Sequence, residues 1–448
     1  MYLENKKISV VGGGLVGSLL ATYLSKQGAN VLVFDKRSDP RKDINQAGRS
    51  INLALSDRGI RALKTLGIKG QIMKIAMPMY KRIMHSNSGS LTEQRYGKSQ
   101  QAIYSVSRHI LNTKLIDIAE QHNVKFHFNK QCEEIDFSNN ELLFKGDYVS
   151  HSDYIFAADG AGSVIRKKMG HCFSDVKITE KFIDSSYKEL TIPSHLDGTH
   201  KIQNDALHIW PRKSFMVIAL PNLDGTFTCT LFAPNKGQSS FDEIKKNEDV
   251  KSFFSSYFPD LVNLIPDLAE QYFNNPTSPL GFVRCSSWKK NNTILLGDAC
   301  HATVPFYGQG MNSGFEDCFL LNEWINLNHS LSNRTIKEFL SLRQLNTEAM
   351  QDLSMANFIE MQSKTADPGF LLQKKIEEWF SNKHPDKWMP LYSMVTFSSV
   401  SYHEAMQKGI IQDEIMKDVM SKNNLQIVFN EAELNEKNIE QQILSRIS

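Results

Sequence analysis

Ile8-Ser-Val-Val11 is a short run of apolar and small residues. A glycine-rich turn follows it, then a stretch of helical length over residues 15–27, then Val31-Leu-Val-Phe34. Short apolar runs bounded by turn residues read as buried strands, so the opening predicts a βαβ unit with its glycines between the first two elements. Helices are expected over about residues 57–66 and 108–121, and strands near 124–128 and 154–157, extending the same α/β unit. Far along the chain, Thr293-Ile-Leu-Leu-Gly297 reads as one more buried strand, followed by a second glycine-rich turn and a helix from about Met311. The α/β domain is therefore discontinuous in sequence.

Between these blocks the hydrophobic period changes. Leu207-His-Ile-Trp210, residues 215–220 and Thr226-Phe-Thr-Cys-Thr-Leu-Phe232 are rich in β-formers and punctuated by Pro221-Asn222 and Asp224-Gly225. In the last run Phe227, Cys229 and Leu231 alternate with threonines, the period-2 pattern of an antiparallel strand. From about Leu331 the pattern turns helical, with Phe339, Leu340, Leu353, Phe358 and Met361 expected on apolar faces. The expected architecture is α/β plus β. A Rossmann-like domain comes from residues 1–72, 100–178 and 287–330, an inserted antiparallel-sheet domain from 73–99 and 179–286, and a helical lid region from 331–448.

Composition narrows the classes. The 448 residues carry 51 Lys and Arg against 49 Asp and Glu, a formal charge of +2, which argues against nucleic acid as the main partner. Six cysteines are spread without any Cys-x-x-Cys or Cys/His cluster, so neither a disulfide framework nor a metal site is expected, and the cytoplasm is the expected compartment. Residues 8–25 lack charge and follow Lys6-Lys7, as in a signal peptide, but their glycines and immediate continuation into a second strand fit a folded βαβ start better. No run of about 20 apolar residues occurs, and the region after Gly409 is polar, so no membrane span is expected.

Candidate chemistry begins at Gly12-Gly13-Gly14-Leu15-Val16-Gly17, a G-x-G-x-x-G string placed after a strand and opening a helix, with Asp35 ending the next strand. Gly12 permits the tight turn, Gly14 lets the backbone approach a pyrophosphate, and Gly17 allows close helix–strand packing. The helix N-terminus adds unpaired N–H groups, and Asp35 can accept from adenosine ribose hydroxyls. A dinucleotide is implied; the motif alone leaves open whether it is a nicotinamide cofactor or FAD. Gly308-Gln-Gly310-Met311-Asn312 opens a later helix whose N–H groups would suit an anionic ring edge.

Two further strings resolve the cofactor by resemblance. Tyr154-Ile-Phe-Ala-Ala-Asp159-Gly160-Ala-Gly-Ser163-Val-Ile-Arg166 and Leu295-Leu-Gly297-Asp298-Ala-Cys-His301 resemble the Asp-Gly and Gly-Asp fingerprints of the class A flavoprotein monooxygenases, the single-component aromatic hydroxylases. Strings over residues 48–59, 207–212, 227–232, 305–318 and 390–397 resemble the kynurenine-hydroxylating branch of that family, over about residues 7–407. The resemblance implies tightly bound FAD, NADPH as a transient co-substrate without a Rossmann domain of its own, O2, and hydroxylation of L-kynurenine through a flavin C4a-hydroperoxide with no side chain acting as acid or base. For substrate it implies Arg82, Tyr96, Asn357 and Tyr392; for FAD it implies Gly12, Gly14, Val16, Gly17, Asp35, Arg37, Ala54, Arg108, Cys132 through its backbone, Asp159, Asp298, Gly310, Met311 and Asn312.

A guanidinium, two phenols and an amide suit an amino-acid end, and a β-rich roof containing Phe232 and Trp210 is expected to keep water out. His301 is expected to be structural. The chain has Ala299-Cys300-His301 where the family commonly has Ala-Ala-His, and residues 361–388 match only loosely. The expected partner is a small molecule, with no nucleic acid and no membrane span, and the expected assembly a monomer or homodimer. The alternatives are a hydroxylase for another aromatic acid and, in a different class, a non-catalytic escort protein of the FAD fold, which would lack the intact Asp-Gly and Gly-Asp pair. A flavin halogenase would carry a Trp-x-Trp-x-Ile-Pro string, which this chain lacks.

Overall fold

Lys7–Val11 lies at the centre of a six-stranded sheet, between Tyr154–Ala157 on one side and Asn30–Phe34 on the other. Thr293–Leu295 and Lys125–His127 continue the parallel array on the two sides, and Lys289–Lys290 adds an antiparallel edge. The structure is a computed structural model that describes residues 1–42, 52–96, 100–363, 367–422 and 436–447. Residues 48–51 of the family-like strings, and the side chain of Met361, lie outside the described residues.

Because the chain passes from the first strand to Asn30–Phe34 on one side and only later returns to Tyr154–Ala157 on the other, a crevice opens at the first strand's carboxyl end, and the glycine turn sits there. Gly12 has φ +103°, and a Cβ on it would lie 2.4 Å from the Ala158 carbonyl oxygen. A Cβ on Gly17 would lie 1.9 Å from the Gly12 oxygen, so the helix Leu15–Lys26 reaches its place only with glycine here.

The second sheet has seven strands, in the order Thr277–Cys285, Ile178–Ile192, Phe227–Pro234, Phe215–Pro221, Ala206–Arg212, Lys81–His85 and Leu91–Arg95. All neighbours are antiparallel except Ala206–Arg212 and Lys81–His85, which run parallel. Period-2 alternation sends Phe215, Val217, Phe227, Cys229 and Leu231 to one face, against the helices Asn247–Tyr257, Pro259–Leu264 and Leu268–Asn274. Met216 and Phe232 point to the other face, toward Val304 and Phe306.

This alternation corrects one expectation. Trp210 is fully buried among the helices on the far face and takes no part in a roof over the cavity, whereas Phe232 does face it. Both faces of the sheet are covered, so the strands are apolar on both sides and the sequence carries no sign of which face is which.

The C-terminal region is helical: Asn333–Ser363, Pro368–Lys383, Leu391–Phe397, Tyr402–Lys422 and Glu436–Ile447. Tyr307 packs with Met350, Leu353, Met394 and Tyr402, which joins this region to the Pro305–Tyr307 turn.

A buried ionic cluster ties these parts together. Glu316 and Asp317 sit in helix Gly310–Asn328, and Glu316 accepts from Arg58 at 2.9 Å, Arg61 at 2.9 Å and Arg343 at 3.0 Å. Asp317 pairs with Arg343 at 2.7 Å and with His301 Nε2 at 2.6 Å, and accepts from Gly297 N at 3.2 Å. The Arg58 guanidinium also lies 4.0 Å from the Tyr402 ring centroid and donates to Val395 and Met394 carbonyls.

Burial alone would raise the carboxyl pKa values, but the cations win: Asp317, beside His301 and Arg343, is held down to about 2, and Glu316 is also lowered. Carboxyls depressed in this way stabilise the fold above their unfolded pKa, and the contribution is lost as pH falls from about 4 toward 2. Glu316→Gln is expected to cost about 3–5 kcal/mol at pH 7, because it strands buried arginines. Urea unfolding should show that deficit shrinking as the pH falls through and below the ordinary glutamate range, where wild-type Glu316 is protonated first in the unfolded chain and then in the folded one.

Candidate active site

One cavity of about 2940 Å³ runs between the six-stranded and seven-stranded sheets and under the C-terminal helices. Gly14, Val16, Ala54, Arg108, Asp298, Gly310 and Met311 line it, together with Arg82, Tyr96, Asn357 and Tyr392. Residues expected to serve FAD and residues expected to serve substrate thus share one continuous space. Gly12, Gly17, Asp35, Cys132, Asp159 and Asn312 lie behind its wall, where they shape it.

At the dinucleotide end, Gly14 precedes helix Leu15–Lys26 without a side-chain cap, leaving first-turn N–H groups directed at the cavity. A Cβ on Gly14 would meet only Arg37 Nη2, at 4.0 Å, which is the open cradle a pyrophosphate requires. Asp35 accepts from Gly13 N at 2.8 Å and from Arg37 Nη2 at 2.7 Å. Its burial would raise the carboxyl, but Arg37 and the Gly13 amide hold it below its ordinary value, so it is a fixed anion.

Asp159 uses only one oxygen: Oδ2 accepts from Val164 N at 2.8 Å, while buried Oδ1 has no partner among the described residues. Such an orphaned acceptor fits a donor supplied by a ligand. Cys132 begins the strand Cys132–Asp136; burial and neighbouring Asp159 push its thiol up to about 12, so it is no nucleophile.

At the Gly-Asp end, Gly297 turns with φ +62° into the short helix Asp298–His301. Arg166, fully buried, donates to Ala161 O at 2.6 Å and Ala299 O at 2.8 Å, so one guanidinium joins the two fingerprint loops. His301 is buried against Asp317 and Trp288, in a structural position. Asn312 does not turn its side chain into the cavity. Its amide accepts from Ser56 N at 2.9 Å and donates to Ala54 O and Gly308 O, each at 2.8 Å, which fastens the strand end at Ala54 to the turn at Gly308.

At the other end, strand alternation separates two neighbouring cations. Lys81 points away and pairs with Glu93 at 2.9 Å, while Arg82 points into the cavity. The Arg82 guanidinium stands 4.2 Å from the Tyr392 ring centroid and 5.1 Å from that of Tyr96. Those rings stack at 5.6 Å and 16°, and Tyr307 continues the stack from Tyr392 at 5.7 Å and 20°. Arg82 Nε and Tyr96 Oη are buried without hydrogen-bond partners among the described residues. Two donors left open beside each other in an apolar slot call for an anionic acceptor.

Asn357 donates to Phe306 O at 2.8 Å, and Phe306 sits between Phe358 at 4.3 Å and Phe232 at 5.1 Å. Phe306, Tyr307 and the arginines on Glu316 are features that reasoning from the sequence missed. The first two lie inside the quoted string at residues 305–312, but a side chain's direction within a turn is not encoded in the string.

Comparison with known proteins adds the following. The FAD binding domain family matches residues 5–328. A kynurenine 3-monooxygenase of Christiangramia forsetii is 46% identical over 440 residues, 97% of this chain and 98% of the relative. Those of Flavobacterium johnsoniae and Dictyostelium discoideum are 47% and 39% identical, over 97% and 94% of this chain and 98% and 95% of their own lengths. Among solved structures, the tetrameric form of 2-methyl-3-hydroxypyridine-5-carboxylic acid oxygenase shares the fold with a TM-score of 0.64 at 20% identity, over 82% of this chain and 95% of that one. PqsL of P. aeruginosa, in complex with 2-aminobenzoylacetate, does so with 0.65 at 15% identity, over 80% and 97%. With the glycine cradle, both fingerprint loops and the arginine–tyrosine slot in one cavity, and with identity of this extent along nearly the whole chain, the protein belongs to the kynurenine 3-monooxygenase family of FAD-dependent aromatic hydroxylases.

Proposed function

We propose that the chain hydroxylates L-kynurenine at the ring carbon beside the aniline nitrogen, giving 3-hydroxykynurenine. The balance is kynurenine, O2, NADPH and one proton to hydroxykynurenine, water and NADP+. The observation that carries this reading is the buried, open Nε of half-buried Arg82 beside the open Tyr96 hydroxyl, in the cavity that the cofactor loops share.

Bound FAD supplies the redox and oxygen chemistry, with NADPH visiting as the reductant. The chain's own residues bind and orient. Val16, Asp35 and Arg37 suit the adenosine end, Gly14 the pyrophosphate, Asp298 the ribityl chain, and Ala54, Gly310 and Met311 the flavin rim; Asn312 ties the segment at Ala54 to the turn at Gly308. Arg108 lines the same groove at the start of helix Arg108–Gln121. Arg82 takes the substrate carboxylate, its planar fork matching two oxygens, while Tyr96, Tyr392 and Asn357 surround the amino-acid end.

The ring then lies along Phe232 and Phe306, which exclude water from the reacting carbon. The substrate's own amino group activates that carbon, so no side chain is assigned as general acid or base. The division into residues 1–72, 100–178 and 287–330, 73–99 and 179–286, and 331–448, a cytoplasmic setting, and a monomer or homodimer belong to the same reading. Among the described residues no helix is long and apolar enough to cross a membrane.

Purified protein is expected to be yellow, to oxidise NADPH faster with L-kynurenine present, and to give a product one oxygen atom heavier. A colourless protein, or one that yields only hydrogen peroxide with kynurenine, would overturn the proposal. Arg82→Ala removes a charge-assisted pair of about 1.5–3 kcal/mol and should raise the kynurenine KM roughly 10- to 150-fold at unchanged FAD content. Loss of FAD in that variant would place Arg82 at the cofactor instead.

A further inference from the structure

On the sheet face opposite Arg82, four side chains form a closed polar chain that the proposed chemistry does not use. His85 Nδ1 lies 3.0 Å from Asp260 Oδ2, and His85 Nε2 lies 2.9 Å from His208 Nδ1. His208 Nε2 lies 2.7 Å from Gln203 O, and Trp210 Nε1 lies 2.6 Å from the same Asp260 oxygen. Both histidines are buried, and the His85 ring stacks on Trp210 at 3.9 Å and 22°. From these contacts we infer that His85 is a positioning residue for substrate binding, held as a doubly protonated imidazolium that locks the register of the strand carrying Arg82. The inference rests on the assignment of Arg82 to the substrate carboxylate.

Proton bookkeeping fixes the state of His85. Gln203 O is a carbonyl and can only accept, so His208 Nε2 carries a proton. Burial pushes His208 down to about 4, so it is neutral and its Nδ1 offers a lone pair; His85 Nε2 therefore donates to it. Burial would raise the Asp260 carboxyl, but its bonds from His85 and Trp210 hold it below its ordinary value, so it is a carboxylate. A carboxylate only accepts, and His85 Nδ1 must donate too. The other charged groups nearby are Lys81, whose field lowers His208 and which is itself paired with Glu93, Asp205, which acts on His208 in the opposite sense, and Arg212, which donates to His85 O at 2.8 Å.

The strand needs such a lock. Lys81–His85 and Ala206–Arg212 form the parallel pair in an otherwise antiparallel sheet, and residues from opposite ends of a long connection meet there without a hairpin to set their register. A slip of one residue would turn Arg82 to the far face and Lys81 or Ile83 into the cavity. One end of the pair is held by Tyr80 N to Asp205 O at 2.8 Å; the His85 relay holds the other end, to both the neighbouring strand and helix Pro259–Leu264.

The test has two arms. In FAD-loaded protein labelled with 15N-histidine, proton–nitrogen NMR at pH 7 should show two ring N–H protons on His85 and one on His208, assigned with His85→Gln and His208→Gln; one ring proton on His85 overturns the inference. In kinetics, Asp260→Asn should raise the kynurenine KM about tenfold while kcat and FAD content stay within about twofold, and Asp260→Glu should recover part of the loss. An unchanged KM in Asp260→Asn, alongside a raised KM in Arg82→Ala, overturns the relay and leaves the substrate reading standing. An unchanged KM in Arg82→Ala overturns the substrate reading and, with it, this one. If Asp260→Asn does not fold, the ring-proton count on wild type still decides.

Discussion

Two consecutive carboxylates, Glu316 and Asp317, lie inside the protein, and three arginines and a histidine converge on them from three other segments. Taking these charges out of water is expensive, and the cost is offset only when all of them are in place together. The cluster is therefore an all-or-none condition on the fold. It holds the helix that begins at the cofactor turn, the Gly-Asp loop through His301, the helix Asp57–Thr65 through Arg58 and the long helix Asn333–Ser363 through Arg343. Three of those segments bring a piece of the cavity wall through Met311, Asp298 and Asn357, and Ser56 does so just before the helix Asp57–Thr65.

On that frame the two functional ends are built by different physics. The dinucleotide end uses backbone: glycines that bring main chain within contact distance, an uncapped helix start, and a carboxylate locked by an arginine two residues away. The substrate end uses side chains from distant segments, stacked so that one guanidinium keeps a buried, open N–H among aromatic faces. A buried N–H without an acceptor is unfavourable in itself, and a bound carboxylate would satisfy it. In the proposed reading, the slot selects an anionic end group before any ring chemistry takes place.

How far the sequence could be read differs between these ends. The βαβ unit, its glycines and Asp35 were legible because their geometry is local: a few residues of fixed spacing dictate the turn. The helix Arg108–Gln121 was legible to its ends for the same reason. Arg82 was legible only through family likeness, because beside Lys81 it reads as surface charge, and strand alternation alone separates the two. Trp210 was placed on the wrong face because a sheet covered on both sides has no polar face to mark its phase. The burial of Glu316 and Asp317 was not legible, since nothing near them in sequence shows that Arg58 and Arg343 will arrive.

By itself, then, the sequence determined the local machinery: which segments are strands, where the chain must turn on glycine, and that a dinucleotide sits at the first strand's end. The tertiary structure decided what those segments face. That Arg82, Tyr96, Tyr392 and Asn357 meet in the cavity that Gly14 and Met311 also line depends on strand register, sheet coverage and a buried charge balance. These are properties of contacts between residues hundreds of positions apart, whose energies act only once the chain has closed.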